Sequence, residues 1–176
     1  MTTTVRPETD EDRDAIREVV ATAFSPEVEV AGLVDALRVS TAYIPGLSLV
    51  ATVNDVVVGH VLLTAAELVE DEARHSVLVL SPLSVLPEHR RQGIGATLVT
   101  EALGRADAES FEMVVLQGSP RYYPRFGFRD SRTLGVSMDL PNWAPPEAGM
   151  ACPLSAHRPT TRGRLVESQP FLDLGH

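Results

Sequence analysis

Apolar residues recur at helical spacing over the first forty residues, and they predict two helices. Thr9 is a favourable N-cap, and Asp12 three residues later completes a capping-box-like pattern. The apolar face of the first predicted helix consists of Ile16, Val19, Val20, Ala23 and Phe24. After the Ser25-Pro26 break, a second short helix is indicated by Val30, Leu33, Val34 and Leu37.

Two β-branched runs, residues 47–53 and 56–63, predict strands, and the Asn54-Asp55 pair between them indicates an antiparallel hairpin. A charged connection over residues 69–74 leads to a longer apolar run, residues 77–85. Pro82 lies within that run and cannot donate a ladder hydrogen bond. The pattern therefore suits a strand that bulges and parts from its neighbour, which leaves backbone groups free for a ligand.

Helical spacing returns over residues 94–108, and residues 113–116 form the next apolar run. A helix connects this strand to the one before it, so the two strands are predicted to be parallel. From residue 134 onward the pattern weakens. Residues 134–140 and 150–154 are interpreted as the strands of an edge hairpin around a proline-rich loop, and residues 161–176 as a further strand or a packed tail.

Length and composition favour one domain spanning residues 1–176, with a loop-rich part from about residue 133. The apolar runs are too short for a membrane helix, and the acidic N-terminus is unlike a signal peptide. A single cysteine, Cys152, cannot form an internal disulfide, which agrees with a reducing, cytoplasmic location. The net charge of −9 argues against nucleic-acid or membrane partners and suits a cationic amine.

Residues 83–98, LSVLPEHRRQGIGATL, have the order of a strand, a turn and a glycine-opened helix. Gly93 and Gly95 allow backbone N–H groups to approach an anion closely, and the following helix adds the positive end of its dipole. Arg90 and Arg91 supply formal charge beside them. The spacing GxxxxGK[ST] of a P-loop is absent, and Leu98 occupies the third small-residue position of a Rossmann fingerprint.

Arg90, Gly93 and Gly95 in RRQGIG match the pattern R/Q-x-x-G-x-G/A, which resembles the acetyl-CoA motif of the GNAT superfamily of N-acetyltransferases. Tyr123 and the Gly127-Phe128 pair in SPRYYPRFGF resemble the tyrosine-bearing turn of the same family. The segment LSPLSVLPEHRRQGIG, followed by YYPRFGF, is similar to sequences of the YhbS-like branch of this superfamily. The resemblance extends over about residues 56–128 and is poor after Arg129.

The resemblance implies an α/β (α+β) fold with a mixed, mostly antiparallel sheet, splayed parallel strands and flanking helices. It also implies acetyl-CoA as co-substrate, bound between the strands at 77–85 and 113–116, and no metal. The expected coenzyme contacts are Leu83, Ser84, Val85, Arg90, Arg91, Gln92, Gly93, Ile94, Gly95, Ala96 and Thr97. The region between the first two helices would line the acceptor side.

Acyl transfer to an amine needs a base, a stabilised oxyanion and a proton for the departing thiolate. The resemblance makes Tyr123 the leading candidate for the general acid, with a core aromatic packed beside Phe126 and Phe128 as the alternative. A backbone N–H of residues 84–86 would hold the oxyanion. The base stays open between His60, Glu67, Ser84 and a water relay.

The remaining polar residues carry weaker indications. Tyr122 suits packing or a substrate contact, and Arg121, Arg125 and Arg129 suit solvent or the adenosine 3′-phosphate. Cys152 has no neighbouring group to activate it as a nucleophile. No metal-ligand spacing joins the loop or terminal histidines His75, His89, His157 and His176.

The predicted function is acetyl transfer from acetyl-CoA directly to a primary amine, on a small molecule or a peptide. The alternative is a catalytically silent module that binds acyl-CoA as a sensor or docks a partner. This alternative follows from the absence of an obvious base and from the unfamiliar C-terminal third. A monomer or a homodimer formed through an edge strand is expected.

Overall fold

The computed structural model describes residues 2–174. Its helices are α1 (Arg13–Phe24), α2 (Glu29–Arg38), α3 (Ile94–Ala108) and α4 (Gln169–Asp173). Its strands are β1 (Thr3–Pro7), β2 (Tyr43–Val53), β3 (Val56–Glu70), β4 (Ala73–Val85), β5 (Met113–Gln117), β6 (Arg129–Asp130), β7 (Val136–Ser137), β8 (Gly149–Pro153) and β9 (Gly163–Val166). Short 3₁₀ turns lie between several of them.

The strands follow the hydrogen-bonded order β1-β2-β3-β4-β5-β8-β6, with β9 paired to both β3 and β7. Neighbours are antiparallel in most pairs, whereas β4 is parallel to β5 and β7 is parallel to β9. The predicted mixed, mostly antiparallel sheet with flanking helices is therefore confirmed. Among residues 2–174, no helix combines the length and the apolar character needed to cross a membrane.

The chain forms two compact units. One combines the residues up to Thr64 with Leu80–Gly104, and the other combines Ala65–Val79 with the chain from Arg105 onward. The long elements β3, β4 and α3 contribute residues to both. A compact unit is not by itself an independently folding domain, so the single domain predicted from chain length stays a prediction.

In the first unit, β2 and β3 form the predicted hairpin. Val53 pairs with Val56, and Asn54 and Asp55 between them have φ values of 51° and 64°. Two consecutive left-handed residues are what a type I′ turn requires, and Asn and Asp tolerate that conformation. Strand β1 pairs antiparallel with β2 from Thr3 opposite Val53 onward, and the sequence pattern did not predict it.

The two N-terminal helices of the first unit are confirmed. Thr9 and Asp12 form a capping box at a 3₁₀ turn that precedes α1. Arg6 donates two hydrogen bonds to the Asp12 carboxylate, at 2.7 and 3.0 Å, which lowers the pKa of Asp12 to about 2. The buried residues of α1 are Ile16, Val19 and Val20, and those of α2 are Ala31, Leu33, Val34 and Leu37.

In the second unit, β4 pairs with β5 at Leu78 opposite Val114 and Val79 opposite Val115, as predicted for parallel strands. Strand β8 runs antiparallel to β5 along its whole length, from Met113 opposite Pro153 onward. Four of the five residues of β8 are buried, because the strand lies between β5 and β6.

Three predicted segments were wrong. Residues 69–74 are not a loop, because β3 continues to Glu70 and a tight turn at Asp71, whose φ is 53°, leads directly into β4. The predicted strand 134–140 shrinks to β7, since Gly135 adopts a left-handed φ of 74° ahead of it. Strand β8 does not pair with β7 in an edge hairpin, because its partners are β5 and β6.

Candidate functional site

The glycine motif forms an open turn between β4 and α3. A 3₁₀ turn over Pro87–His89 follows β4, and Arg91 and Gly93 then adopt left-handed φ values of 62° and 82°. A Cβ added to Gly93 would meet no atom within 4 Å, so the space beside it is open. Glycine suits this position because it adopts positive φ without strain.

The first turn of α3 presents unpaired donors to that space. The N–H and the hydroxyl of Thr97 both donate to the carbonyl oxygen of Gly93, at 3.0 and 2.9 Å, so the helical bonding begins at Gly93. The N–H groups of Ile94, Gly95 and Ala96 have no intrahelical acceptor, and no side chain among residues 2–174 caps them. These donors and the helix dipole favour a bound anion.

The two arginines of the motif differ in their partners. Arg90 folds back, and its guanidinium donates to the carbonyl oxygens of Ala23, at 3.0 Å, and Val85, at 3.3 Å. Arg91 is exposed, and it has no hydrogen-bond or ion-pair partner within the described part of the chain. Arg91 is therefore the better placed of the two to meet a phosphate group.

Gly59 allows the start of α3 and the end of β4 to pack directly against β3. A Cβ added there would lie 3.0 Å from Leu98 Cδ1, 3.2 Å from Ile94 Cγ2 and 3.2 Å from the carbonyl oxygen of Ser84. Any larger side chain would push the start of α3 and the end of β4 away from β3. Gly59 was not singled out by sequence analysis, although an isolated glycine in a strand is a signal of close backbone approach.

The end of β4 has donors free on one edge. Leu86 N–H donates to the carbonyl oxygen of Val58 on β3 at 2.9 Å. Leu86 is therefore unavailable as the oxyanion donor predicted within residues 84–86. Successive N–H groups of a strand point to opposite edges, so those of Leu83 and Val85 point away from β3. The pairing of β4 with β5 at Leu78 and Val79 does not extend to them.

Tyr123 opens a one-turn 3₁₀ helix, Tyr123–Phe126, with Pro124 in its first turn. Its ring packs edge-on against Phe128, with centroids 5.6 Å apart. Burial, with a smaller contribution from Tyr122, raises the pKa of the phenol to about 12. The hydroxyl has no hydrogen-bond partner within the described residues, so it is free to donate.

Gly118 makes room for the Tyr123 ring. A Cβ added to Gly118 would lie 2.5 Å from Tyr123 Cε2 and 2.9 Å from Cδ2, distances that real atoms do not adopt. The N–H groups of Tyr122 and Tyr123 also donate to the carbonyl oxygen of Ser119, which fixes the turn after β5. Gly118 is not part of any predicted motif, and its position just after a strand was the available signal.

The other residues of the turn have local partners. Arg125 lies over the Tyr122 ring, with Cζ 4.6 Å from the centroid, and its Nε donates to the Tyr122 carbonyl oxygen at 2.8 Å. Burial raises the pKa of the Cys152 thiol, whose nearest acceptors are the carbonyl oxygens of Phe126 and Pro153 at 3.9 Å. Arg125 is exposed and has these local partners, and Arg121 and Arg129 are exposed as well.

Neither His60 nor Glu67 has the setting of a general base. His60 is 0% exposed, its Nε2 lies 2.8 Å from Ser48 Oγ, and burial followed by the charge of Arg38 lowers its pKa to about 3. An enclosed imidazole that resists protonation cannot take a proton from a substrate, so the structure argues against His60. Glu67 is half-exposed and pairs with Arg74 at 3.5 Å, which ties its carboxylate to a cation.

The remaining histidines do not form a metal site within residues 2–174, where no group of three or more His, Cys, Asp or Glu side chains has metal-binding geometry. His75 belongs to β4 rather than to a loop, and its Nδ1 lies 3.6 Å from Glu112. His89 ends the 3₁₀ turn before the motif, and His157 lies in the loop after β8. His176 falls outside the described residues.

Comparison with known proteins matches a family model described as an acetyltransferase (GNAT) domain to residues 4–130. A curated relative, the uncharacterized N-acetyltransferase YjhQ of Escherichia coli strain K12, is 34% identical over 117 residues. That alignment covers 66% of this chain and 64% of the relative, so the chain matches somewhat less than two thirds of that protein.

Two solved structures are similar over nearly the whole chain. A GNAT family acetyltransferase from Brucella melitensis, solved with acetyl-CoA, is 27% identical with a TM-score of 0.78, and the match covers 97% of this chain and 98% of that one. The GNAT family N-acetyltransferase YhbS from Escherichia coli, solved with CoA, has a TM-score of 0.87 at 24% identity, covering 98% and 93%. At 24% identity, the similarity to YhbS shows a shared fold alone.

Proposed function

The chain belongs to the GNAT family of acetyltransferases, and from that premise we propose that it transfers the acetyl group of acetyl-CoA directly to a primary amine. The observation that carries the proposal is the set of unpaired N–H groups at Ile94, Gly95 and Ala96, beside the open space at Gly93. Such a cradle suits the diphosphate of CoA. The acetyl-CoA in the similar Brucella melitensis structure is consistent with this choice of ligand.

The reaction forms a C–N bond and breaks a C–S bond. The neutral amine attacks the thioester carbonyl, and the negative charge that develops on its oxygen is held by a backbone N–H, for which Val85 is the best candidate. As the intermediate collapses, Tyr123 donates its proton to the sulfur while the C–S bond breaks, and CoA leaves as the thiol. The phenolate then regains a proton from solvent. A phenol with a pKa of about 12 stays protonated at neutral pH and is therefore always ready to donate.

The proton lost by the amine goes to water in this proposal. His60 is enclosed, and Glu67 is paired with Arg74, so neither is assigned as the base. Attack by the neutral amine leaves a positively charged nitrogen in the intermediate. This nitrogen is acidic enough to release its proton to a chain of water molecules. The substrate amine is on a small molecule or a peptide, and the net charge of −9 favours a cationic acceptor in solution.

A paired experiment separates this enzyme from a silent acyl-CoA-binding module. Calorimetry measures the affinity for acetyl-CoA, and a thiol-release assay measures CoA formation over a panel of primary amines. We expect binding together with amine-dependent release of CoA. Tight binding with no release for any amine would favour the silent module, and no binding of any CoA species would exclude both functions.

A further inference from the structure

Two buried polar atoms remain without partners where β3 supports the end of β4. His60 Nδ1 and Ser84 Oγ have no hydrogen bond within the described residues, and their side chains are 0% and 1% exposed. The other ring nitrogen of His60, Nε2, lies 2.8 Å from Ser48 Oγ. Buried polar atoms are normally hydrogen-bonded, so an orphaned pair in one region needs a physical explanation.

The strand pairing places these two residues opposite each other. Leu86 N–H bonds to the carbonyl oxygen of Val58, and counting two residues away from this bond along each antiparallel strand brings His60 opposite Ser84. Gly59 supplies a second indication, because its added Cβ would lie 3.2 Å from the Ser84 carbonyl oxygen. Side chains directly opposite in a sheet share one face and lie close together.

One ring nitrogen of His60, Nδ1, still lacks a hydrogen-bond partner. Because its pKa is low, the ring is neutral, and a neutral imidazole has one donor nitrogen and one acceptor nitrogen. Ser48 satisfies Nε2, which leaves Nδ1 to bond toward Ser84. Two buried polar groups that face each other without a direct bond are the setting in which proteins hold an internal water.

We propose that His60 is a positioning residue for acyl transfer: a water held between His60 Nδ1 and Ser84 Oγ ties the end of β4 to β3 and so sets the direction of the Val85 N–H. The inference rests on the proposed function, because that N–H matters only where an oxyanion forms. His60 touches no reacting atom in this role. It acts through Ser84, the residue that precedes Val85 in the chain.

The end of β4 needs such a tether for a local reason. Pro82 has no N–H, so the strand loses one ladder bond within this segment. Its outer edge must also stay unpaired if Leu83 and Val85 are to face a ligand. The bond from Leu86 to Val58 and the link from Ser84 to His60 then hold the segment from the β3 side alone.

Two substitutions of one residue separate the two sides of the ring. In His60→Asn, the side-chain amide takes the place of Nδ1 and keeps the link toward Ser84, whereas in His60→Gln it reaches the place of Nε2 and keeps the link to Ser48. We expect His60→Asn to keep kcat within about twofold of wild type. We expect His60→Gln and Ser84→Ala each to lower kcat by roughly tenfold, with the Kd for acetyl-CoA unchanged.

A double variant and a matched control complete the test. His60→Gln combined with Ser84→Ala should lose no more kcat than either change alone, because both break one link. Thr64→Val removes another buried, unpartnered hydroxyl of β3 and should leave kcat unchanged. Thermal melting identifies the variants that remain folded, and Ser84→Ala alone decides the matter if the His60 variants do not fold.

Three results would overturn the role of His60: equal losses in His60→Asn and His60→Gln, unchanged kcat in Ser84→Ala, or fully additive losses in the double variant. Absence of amine-dependent turnover in the wild-type protein would overturn the proposed function and the role of His60 together. Turnover in wild type with any of the three results overturns only the role of His60.

Discussion

The Tyr123 side chain combines the features that a proton donor for a thiolate needs. Its ring is fixed by Gly118 and Phe128, its hydroxyl is unpartnered within the described residues, and burial keeps it protonated. A thiol has an ordinary pKa near 8.5, so the departing thiolate is a weaker base than the phenolate of Tyr123. The phenol therefore helps only by donating as the C–S bond breaks.

Replacing Tyr123 by Phe removes that donor and leaves the packing of the ring in place. We expect kcat to fall by about 10²-fold, while the calorimetric Kd for acetyl-CoA stays the same. In wild type, the donor is lost only as pH approaches its pKa of about 12, so kcat should show no falling limb up to about pH 10. Normal turnover by Tyr123→Phe across the pH range would show that Tyr123 is not the acid.

Gly118→Ala tests whether the position of the same ring matters. The added methyl would overlap Tyr123 Cε2 at 2.5 Å, so the ring must move and carry its hydroxyl away. We expect a loss of kcat approaching that of Tyr123→Phe, and little further loss when the two changes are combined. Gly104→Ala, which adds a methyl into open space on α3, is the matched control. Unchanged kcat in Gly118→Ala would show that the ring tolerates displacement.

At the scale of elements, hydrophobic periodicity predicted the helices α1, α2 and α3 and the β2–β3 hairpin, because each buries one regular face. It did not predict β1, whose five residues are exposed or half-buried and include no buried position. It also missed the pairing of β8 with β5, because the choice of strand partner depends on contacts between residues far apart in sequence.

The same distinction applies to the candidate site. Glycine spacing predicted the turn ahead of α3, since Gly93 adopts the left-handed conformation that glycine favours. The environment of His60 could not be predicted, because a strand residue reveals neither its burial nor its neighbour Ser48 until the sheet is assembled. Gly59 and Gly118 likewise acquire meaning only from the side chains that pack against them.

The capping network at the start of α1 makes a prediction about pH. Arg6 and Thr9 lower the pKa of Asp12 from 3.8 to about 2, so the folded state favours the ionised carboxylate. This stabilisation is complete above the unfolded pKa and is lost as pH falls from about 4 to 2. Asp12→Asn should therefore lower the free energy of unfolding at pH 7 by about 2 kcal/mol.

Denaturant titrations of wild type and Asp12→Asn over the pH range from about 7 to 2 measure this effect. The difference in stability between the two proteins should shrink below about pH 4, where wild-type Asp12 becomes protonated. Arg13, which pairs with Asp10 on the exposed surface, gives the control Arg13→Ala, for which a small effect is expected. A stability difference that does not change with pH would contradict the role assigned to the Asp12 carboxylate.

At the scale of the whole molecule, the family match and the similar structures cover different lengths. The family model ends at residue 130, whereas the similar Brucella melitensis chain aligns over 97% of this one. The added length includes β8, which pairs with β5, and β9, which pairs with β3. The C-terminal third is therefore part of the sheet, even though its sequence has few recognisable patterns.

In the proposed function, the N–H groups at the start of α3 bind the diphosphate of CoA. Calorimetric titration of CoA into wild type, Gly95→Trp and Gly104→Trp tests it directly, since Gly104 is an exposed glycine of the same helix with open space beside it. We predict that Gly104→Trp binds CoA like wild type and that Gly95→Trp, whose indole fills the cradle, loses at least about 100-fold in affinity. Equal affinity of the two tryptophan variants would contradict the claim.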